Sequence, residues 1–123
     1  MKFFRCKHCG NIIVMLEDSG VNVQCCGEKM TEVVPGTVEA AAEKHIPVVS
    51  AAGNTITVNV GSVDHPMLPE HFIRWIVLET SEGFLVKNLK PGDKPAAVFT
   101  LEPGVDASAV YAYCNLHSLW KNS

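Results

Sequence analysis

From about residue 46 the chain alternates polar and apolar side chains with a period of two, most clearly in Thr55-Ile56-Thr57-Val58-Asn59-Val60. Such alternation places one set of side chains on each face of a strand. Further β-rich runs cover His71 to Thr80, Gly83 to Asn88, Ala96 to Leu101 and Ala107 to Tyr113. Between them lie Gly53-Asn54, Glu82-Gly83, Pro91-Gly92-Asp93 and Pro103-Gly104, residues that tight turns require. Short strands at this spacing predict an antiparallel sandwich or barrel. Residues 1–36 read differently: large apolar residues, among them Phe3, Phe4 and the run Ile12 to Leu16, are too few to stabilise a fold by burial alone. Pro35-Gly36 marks a boundary, so two domains are expected, 1–36 and 37–123, with Thr37 to Lys44 as a short helical or looped link.

Composition narrows the class. Hydrophobic residues are 47% and charged residues 19% of 123, a globular balance, and no apolar run approaches the roughly 18 residues of a membrane span. Met1-Lys2-Phe3-Phe4-Arg5 runs straight into Cys6-Lys7-His8-Cys9 without the long apolar core of a secretory signal, so a cytoplasmic protein is expected. With 10 basic and 13 acidic residues, a net charge of −3 and no Lys/Arg cluster, nucleic acid is disfavoured as a partner. Five cysteines are an odd number, and in a reducing compartment thiols serve metals or catalysis.

Four of these cysteines form the first constellation: Cys6-x-x-Cys9, then after fifteen residues the adjacent pair Cys25-Cys26. A Cys-x-x-Cys turn converges two thiolates on one ion while nearby amides stabilise the sulfur charge, and a second pair completes a tetrahedron. Zinc and a single iron both suit four sulfurs; a structural zinc ribbon and a pair of disulfides are the competing readings. His8 lies inside the turn and reads as a solvated residue, because four thiolates already fill a tetrahedral site.

The second constellation comprises His45, His65, His71, His117 and the fifth cysteine, Cys114, three residues before His117. Each histidine falls at a predicted strand end or loop, where side chains from a rigid sandwich converge. Five candidate ligands exceed the four of a closed zinc site, which favours iron. In a square pyramid the imidazoles form the base, and an axial thiolate supports electron transfer to whatever binds opposite it. Glu43 and Lys44 stand beside His45. A carboxylate there can close the open position of oxidised iron, and an ammonium reverses locally the field of an acidic chain for an incoming anion.

These stretches resemble the desulfoferrodoxin family, the two-iron superoxide reductases. The resemblance is carried by Cys6-Lys-His-Cys9, Gln24-Cys-Cys-Gly-Glu-Lys-Met30, Glu43-Lys-His-Ile-Pro47, His65-Pro-Met-Leu-Pro-Glu-His71-Phe-Ile-Arg-Trp-Ile76 and Cys114-Asn-Leu-His117-Ser-Leu-Trp120, in order along nearly the whole chain. It implies a mainly β protein: a small desulforedoxin- or rubredoxin-like domain with iron on Cys6, Cys9, Cys25 and Cys26, then an immunoglobulin-like antiparallel β-sandwich. There, iron would be held by His45, His65, His71 and His117 equatorially and Cys114 axially. Glu43 would bind oxidised iron, and Lys44 would assist superoxide binding and protonation. The resemblance further implies a cytoplasmic homodimer with rubredoxin as a usual electron donor. Two positions depart from the family's pattern: Phe72 stands where tyrosine is common, and Ser118 where glycine is common. The expected reaction is one-electron reduction of superoxide to hydrogen peroxide; an electron carrier without a substrate, a zinc-ribbon adaptor and a superoxide dismutase are the competing functions.

Overall fold

The computed structural model describes residues 1–122 and divides the chain into two compact units, Met1–Val34 and Pro35–Ser123. The first unit contains five short strands. β1 (Phe3–Arg5) lies between β2 (Ile12–Val14) and β5 (Thr31–Val33) in an antiparallel sheet, while β3 (Gln24–Cys25) pairs with β4 (Glu28–Lys29). The sequence pattern predicts no strands here, because three-residue strands are too short to show a period. Phe3, Cys6 and Met30 are the only buried hydrophobic residues described in this unit. Fully burying a side chain of the size of Phe or Met contributes about 1.5–3 kcal/mol, little against an ordering cost of about 1 kcal/mol or more per residue. Cross-linking through sulfur is what remains to hold the unit.

The second unit is a sandwich of two antiparallel sheets. It opens with a single helical turn, α1 (Ala42–His45), which overlaps the end of the expected link and runs one residue past it. One sheet has the order β10-β7-β6, from β6 (Pro47–Ala52), β7 (Thr55–Val60) and β10 (Ala96–Thr100). The other has the order β12-β11-β8-β9, from β8 (Ile73–Thr80), β9 (Gly83–Asn88), β11 (Ala107–Cys114) and β12 (Ser118–Asn122). The period-two run of β7 buries Ile56, Val58 and Val60 against Ile73, Ile76 and Leu78 of β8 and Val110, Ala112 and Cys114 of β11, with Ala97, Phe99 and Leu101 completing the core. Each of these side chains is fully or nearly fully buried, which is why the pattern was readable in advance.

One irregularity positions the site. Tyr113 pairs with Trp75 but Cys114 pairs with Ile73, so Arg74 is an extra residue in β8. This bulge turns both Ile73 and Ile76 into the core and bends the strand where it leaves the segment around His71. β8 therefore begins at Ile73 rather than at His71, which instead makes an isolated bridge with Leu68.

Candidate metal centres

In the first unit, Cys6 follows β1 and Cys9 closes the turn after it, with the Gly10 amide donating to the Cys6 carbonyl at 3.0 Å. Cys25 and Cys26 come from the β3–β4 hairpin, whose two-residue loop is Cys26-Gly27. Both loop residues have positive φ, 54° and 75°, as a type I′ turn demands. That turn is the local reason that adjacent cysteines present both sulfurs to one point. The four sulfurs lie within 4.8 Å of one another, with Cys9 and Cys25 3.6 Å apart. Four sulfurs at about 2.3 Å from a shared ion are about 3.8 Å from each other.

Electrostatics in this cluster also call for a cation. The backbone amides of Cys9 and then His8 lower the Cys6 thiol to about 6 against the opposing effect of burial. Cys6, Cys9 and Cys25 push the Cys26 thiol up to about 12, and Cys9 and Cys6 raise Cys25. Four thiolates cannot all ionise at neutral pH without a positive charge among them. His8 is exposed and its Nε2 faces a Glu28 carboxylate oxygen at 3.2 Å, outside the sulfur cluster.

In the second unit, loops and strand ends bring His45, His65, His71 and Cys114 together, with one donor atom from each inside a 4.8 Å group. His45 ends α1, His65 lies in the loop between β7 and β8, His71 precedes β8 and Cys114 ends β11. His117, in the β11–β12 turn, stands beside them: its Nδ1 is 3.2 Å from His45 Nε2 and 3.9 Å from Cys114 Sγ. All five residues singled out in the sequence are thus neighbours, four mutually close and His117 at the margin.

Hydrogen bonds determine which ring atoms are available. His45 Nδ1 donates to the Ala41 carbonyl and His65 Nδ1 to the Pro66 carbonyl, each at 2.7 Å. A carbonyl only accepts, so in the neutral rings Nε2 carries the lone pair. These two Nε2 atoms nevertheless face each other at 3.2 Å. His71 Nε2 is buried with no hydrogen-bond partner among the described residues. Burial holds the His65 imidazole down to about 4, and burial first, then nearby imidazoles, lowers His45 and His71. Imidazole nitrogens that converge with lone pairs facing one another beside a buried sulfur fit a transition-metal ion. Burial raises the Cys114 thiol, and the backbone amides of His117 and Leu116 oppose that rise, favouring the thiolate.

His45, His65 and Cys114 are buried, whereas His71 and His117 are partly exposed, so the cluster opens to solvent on the side of those two rings. Glu43 and Lys44 are exposed on α1. Their charges reach the rings: Glu43 opposes the lowering of His45, and Lys44 adds to that of His71 after burial and His117. Sequence reading missed two neighbours. Trp120 packs its ring 4.9 Å from that of His45 and donates from Nε1 to the His117 carbonyl at 3.0 Å. Gly61 lies so close under α1 that an added Cβ would sit 2.6 Å from the Glu43 carbonyl oxygen. Trp120 stood within a quoted motif; nothing in the sequence marked Gly61.

A four-sulfur unit and a β-sandwich with an imidazole–thiolate pocket define a non-haem metalloprotein with two separate centres. Family comparison agrees: the desulfoferrodoxin model matches residues 37–123 and the desulfoferrodoxin N-terminal domain matches residues 1–33. The chain belongs to the desulfoferrodoxin family. It is 46% identical to a desulfoferrodoxin of Clostridium acetobutylicum over 115 residues, 94% of this chain and 90% of that one. Identity is 43% over 120 residues to that of Nitratidesulfovibrio vulgaris, covering 98% and 94% of the two chains. The crystal structure of the superoxide reductase from Treponema pallidum superposes with a TM-score of 0.83 at 38% identity, over 99% of this chain and 98% of that one.

Proposed function

We infer that the protein is a superoxide reductase, an oxidoreductase that adds one electron and two protons to superoxide to give hydrogen peroxide. The observation that carries this reading is the set of lone pairs at His45, His65 and His71 aimed at one point beside the Cys114 sulfur, open on one side, in a chain that aligns end to end with a known superoxide reductase.

The protein holds two irons. We assign the first to Cys6, Cys9, Cys25 and Cys26 within a desulforedoxin-like domain of residues 1–36, and the second to His45, His65, His71, His117 and Cys114 within the sandwich domain of residues 37–123. Ferrous iron at the second site supplies the electron when bound. The protein's own residues do the rest. Buried Cys114, whose thiolate the neighbouring backbone amides of His117 and Leu116 favour, would place an electron-rich sulfur beside the imidazoles. Exposed Lys44 offers an ammonium that draws an anion toward the open side of a chain carrying net charge −3. Glu43 provides a carboxylate that competes for that opening once the substrate has left.

After each turnover the second site requires one electron from an external donor, for which a rubredoxin-like protein is the proposed source. A cytoplasmic homodimer is proposed with it. All five thiols are free, which suits a reducing compartment, and no described helix is long and apolar enough to cross a membrane. The test is Cys114→Ser mixed with superoxide by stopped flow. Loss of superoxide consumption is expected, with the absorption of the four-sulfur iron retained; full consumption by the variant would refute the assignment.

A further inference from the structure

The second cluster's ring-orienting bonds are unevenly distributed. His45 and His65 are each fixed by an Nδ1 hydrogen bond to a backbone carbonyl. The turn that carries His117 is held through its backbone, by the indole of Trp120 donating to the His117 carbonyl. No side-chain hydrogen bond orients the His71 ring among the described residues, and its Nε2 is buried without a partner. The backbone pair between Leu68 and His71, 2.9 and 3.0 Å, ties His71 only to its own loop. Something else must set where that loop stands relative to the strand end that carries Cys114.

That role falls to Asn115. Its side-chain oxygen accepts from the Phe72 amide at 2.9 Å, its side-chain nitrogen donates to the Glu70 carbonyl at 3.0 Å, and its own amide donates to the Phe72 carbonyl at 3.2 Å. One carboxamide therefore grips the residues on both sides of His71 from a position next to Cys114. Because an amide group offers a donor on one atom and an acceptor on another, it can bridge a carbonyl and an N–H several ångströms apart, which an ionised carboxylate, an acceptor only, cannot do. The contact joins segments more than forty residues apart, beside the bulge at Arg74 where the β8–β11 ladder loses register.

We infer that Asn115 is the positioning residue for His71: it locks the His71 loop to the Cys114–His117 turn and so sets the distance from the His71 nitrogen to the other metal-binding atoms. The inference rests on the reading of the second cluster as an iron site. Supporting groups one step behind metal ligands are worth about 10–100-fold in metal affinity.

The test uses the full chain, stripped of metal and titrated with cobalt(II) while the absorption of each site is followed. Wild-type protein should take up one ion at the four sulfurs and one at the imidazole cluster. Asn115→Ala should bind the second ion about 10–100-fold more weakly with a shifted absorption band, while the four-sulfur site titrates as in wild type. Asn115→Asp keeps the acceptor for Phe72 and loses the donor to Glu70, so it should fall between the two and carries the test if Asn115→Ala does not fold. Ile56→Ala, a core truncation at the far end of β7, controls for loss of stability alone. The inference is overturned if Asn115→Ala, or Asn115→Asp where only that variant folds, matches wild type, or if Ile56→Ala loosens the second ion as much. A wild type that binds cobalt only at the sulfurs would instead overturn the iron-site reading itself.

Discussion

His45 and His65 point their Nε2 atoms at each other across 3.2 Å although both rings have committed their hydrogen to a carbonyl on the opposite side. Two lone pairs at that separation repel unless a cation lies between them. Removing the metal should therefore lower the midpoint of thermal unfolding, and adding back ferrous iron or zinc should restore it. At a free metal concentration about 1,000 times the dissociation constant the gain is about 4 kcal/mol. A midpoint indifferent to chelation would mean that the rings find other partners.

Gly61 packs under the turn that carries Glu43, Lys44 and His45. A Cβ at this position would meet the Glu43 carbonyl oxygen at 2.6 Å, the Ile46 carbonyl oxygen at 2.9 Å and Lys44 backbone carbon at 3.1 Å. The Val63 amide already donates to that same Glu43 carbonyl at 2.9 Å, so the turn has no room to move away freely. Gly61→Ala should cost about 1–3 kcal/mol in denaturant unfolding and lower iron occupancy at the sandwich site. Unchanged stability and iron content would show that α1 yields without consequence.

Ser118 adopts φ of 64°, the left-handed region that glycine enters without penalty. A glycine at this position would carry no such strain, and nothing in the structure explains the serine. Ser118→Gly should relieve about 1 kcal/mol of backbone strain, partly offset by the extra freedom of glycine in the unfolded chain. Denaturant titration of the two proteins checks it; a less stable glycine variant would point to a favourable interaction of the serine.

Lys44 is exposed beside the opening, and its charge is felt at His71. Lys44→Ala should reduce the second-order rate with superoxide several-fold at low salt, a difference that shrinks above about 0.15 M ionic strength as screening sets in. Rates that coincide at low salt would exclude steering by this residue.

Tyr111 is buried and donates to a Glu79 carboxylate oxygen at 3.2 Å; burial first, then the Glu79 charge, raises its phenol to about 12. In the unfolded chain tyrosine titrates near about 10. Between these values the unfolded chain has lost a proton that the folded chain keeps. Stability is thus fully present below about pH 10 and falls as pH rises toward about 12, by about 1.4 kcal/mol per unit. Tyr111→Phe should flatten that decline; an equally steep decline in the variant would assign it elsewhere.

The sandwich was legible wherever a strand buries one face. In β7 the sequence period and the burial of Ile56, Val58 and Val60 coincide, since alternate side chains must share the core. β9 was marked by its flanking turns, and its six residues are all exposed. β12 went unassigned, because its five residues follow directly on the His117 turn with no separating glycine or proline. β6 was visible only as the start of an alternating region: beyond Pro47 its side chains are exposed, so burial imposes no pattern.

Metal chemistry was written in the residue types alone. Four cysteines in two close pairs, and four histidines with one cysteine, are combinations that bury poorly in any other use. What they could not specify is aim. Which imidazole nitrogen faces the centre depends on carbonyls of Ala41 and Pro66, and the place of His71 depends on Asn115, partners supplied by backbone geometry or by segments distant in the chain. Spacing along a chain records which donors exist; only packing of the two sheets, through a bulge at Arg74 and close approach at Gly61, brings them within bonding reach of one ion.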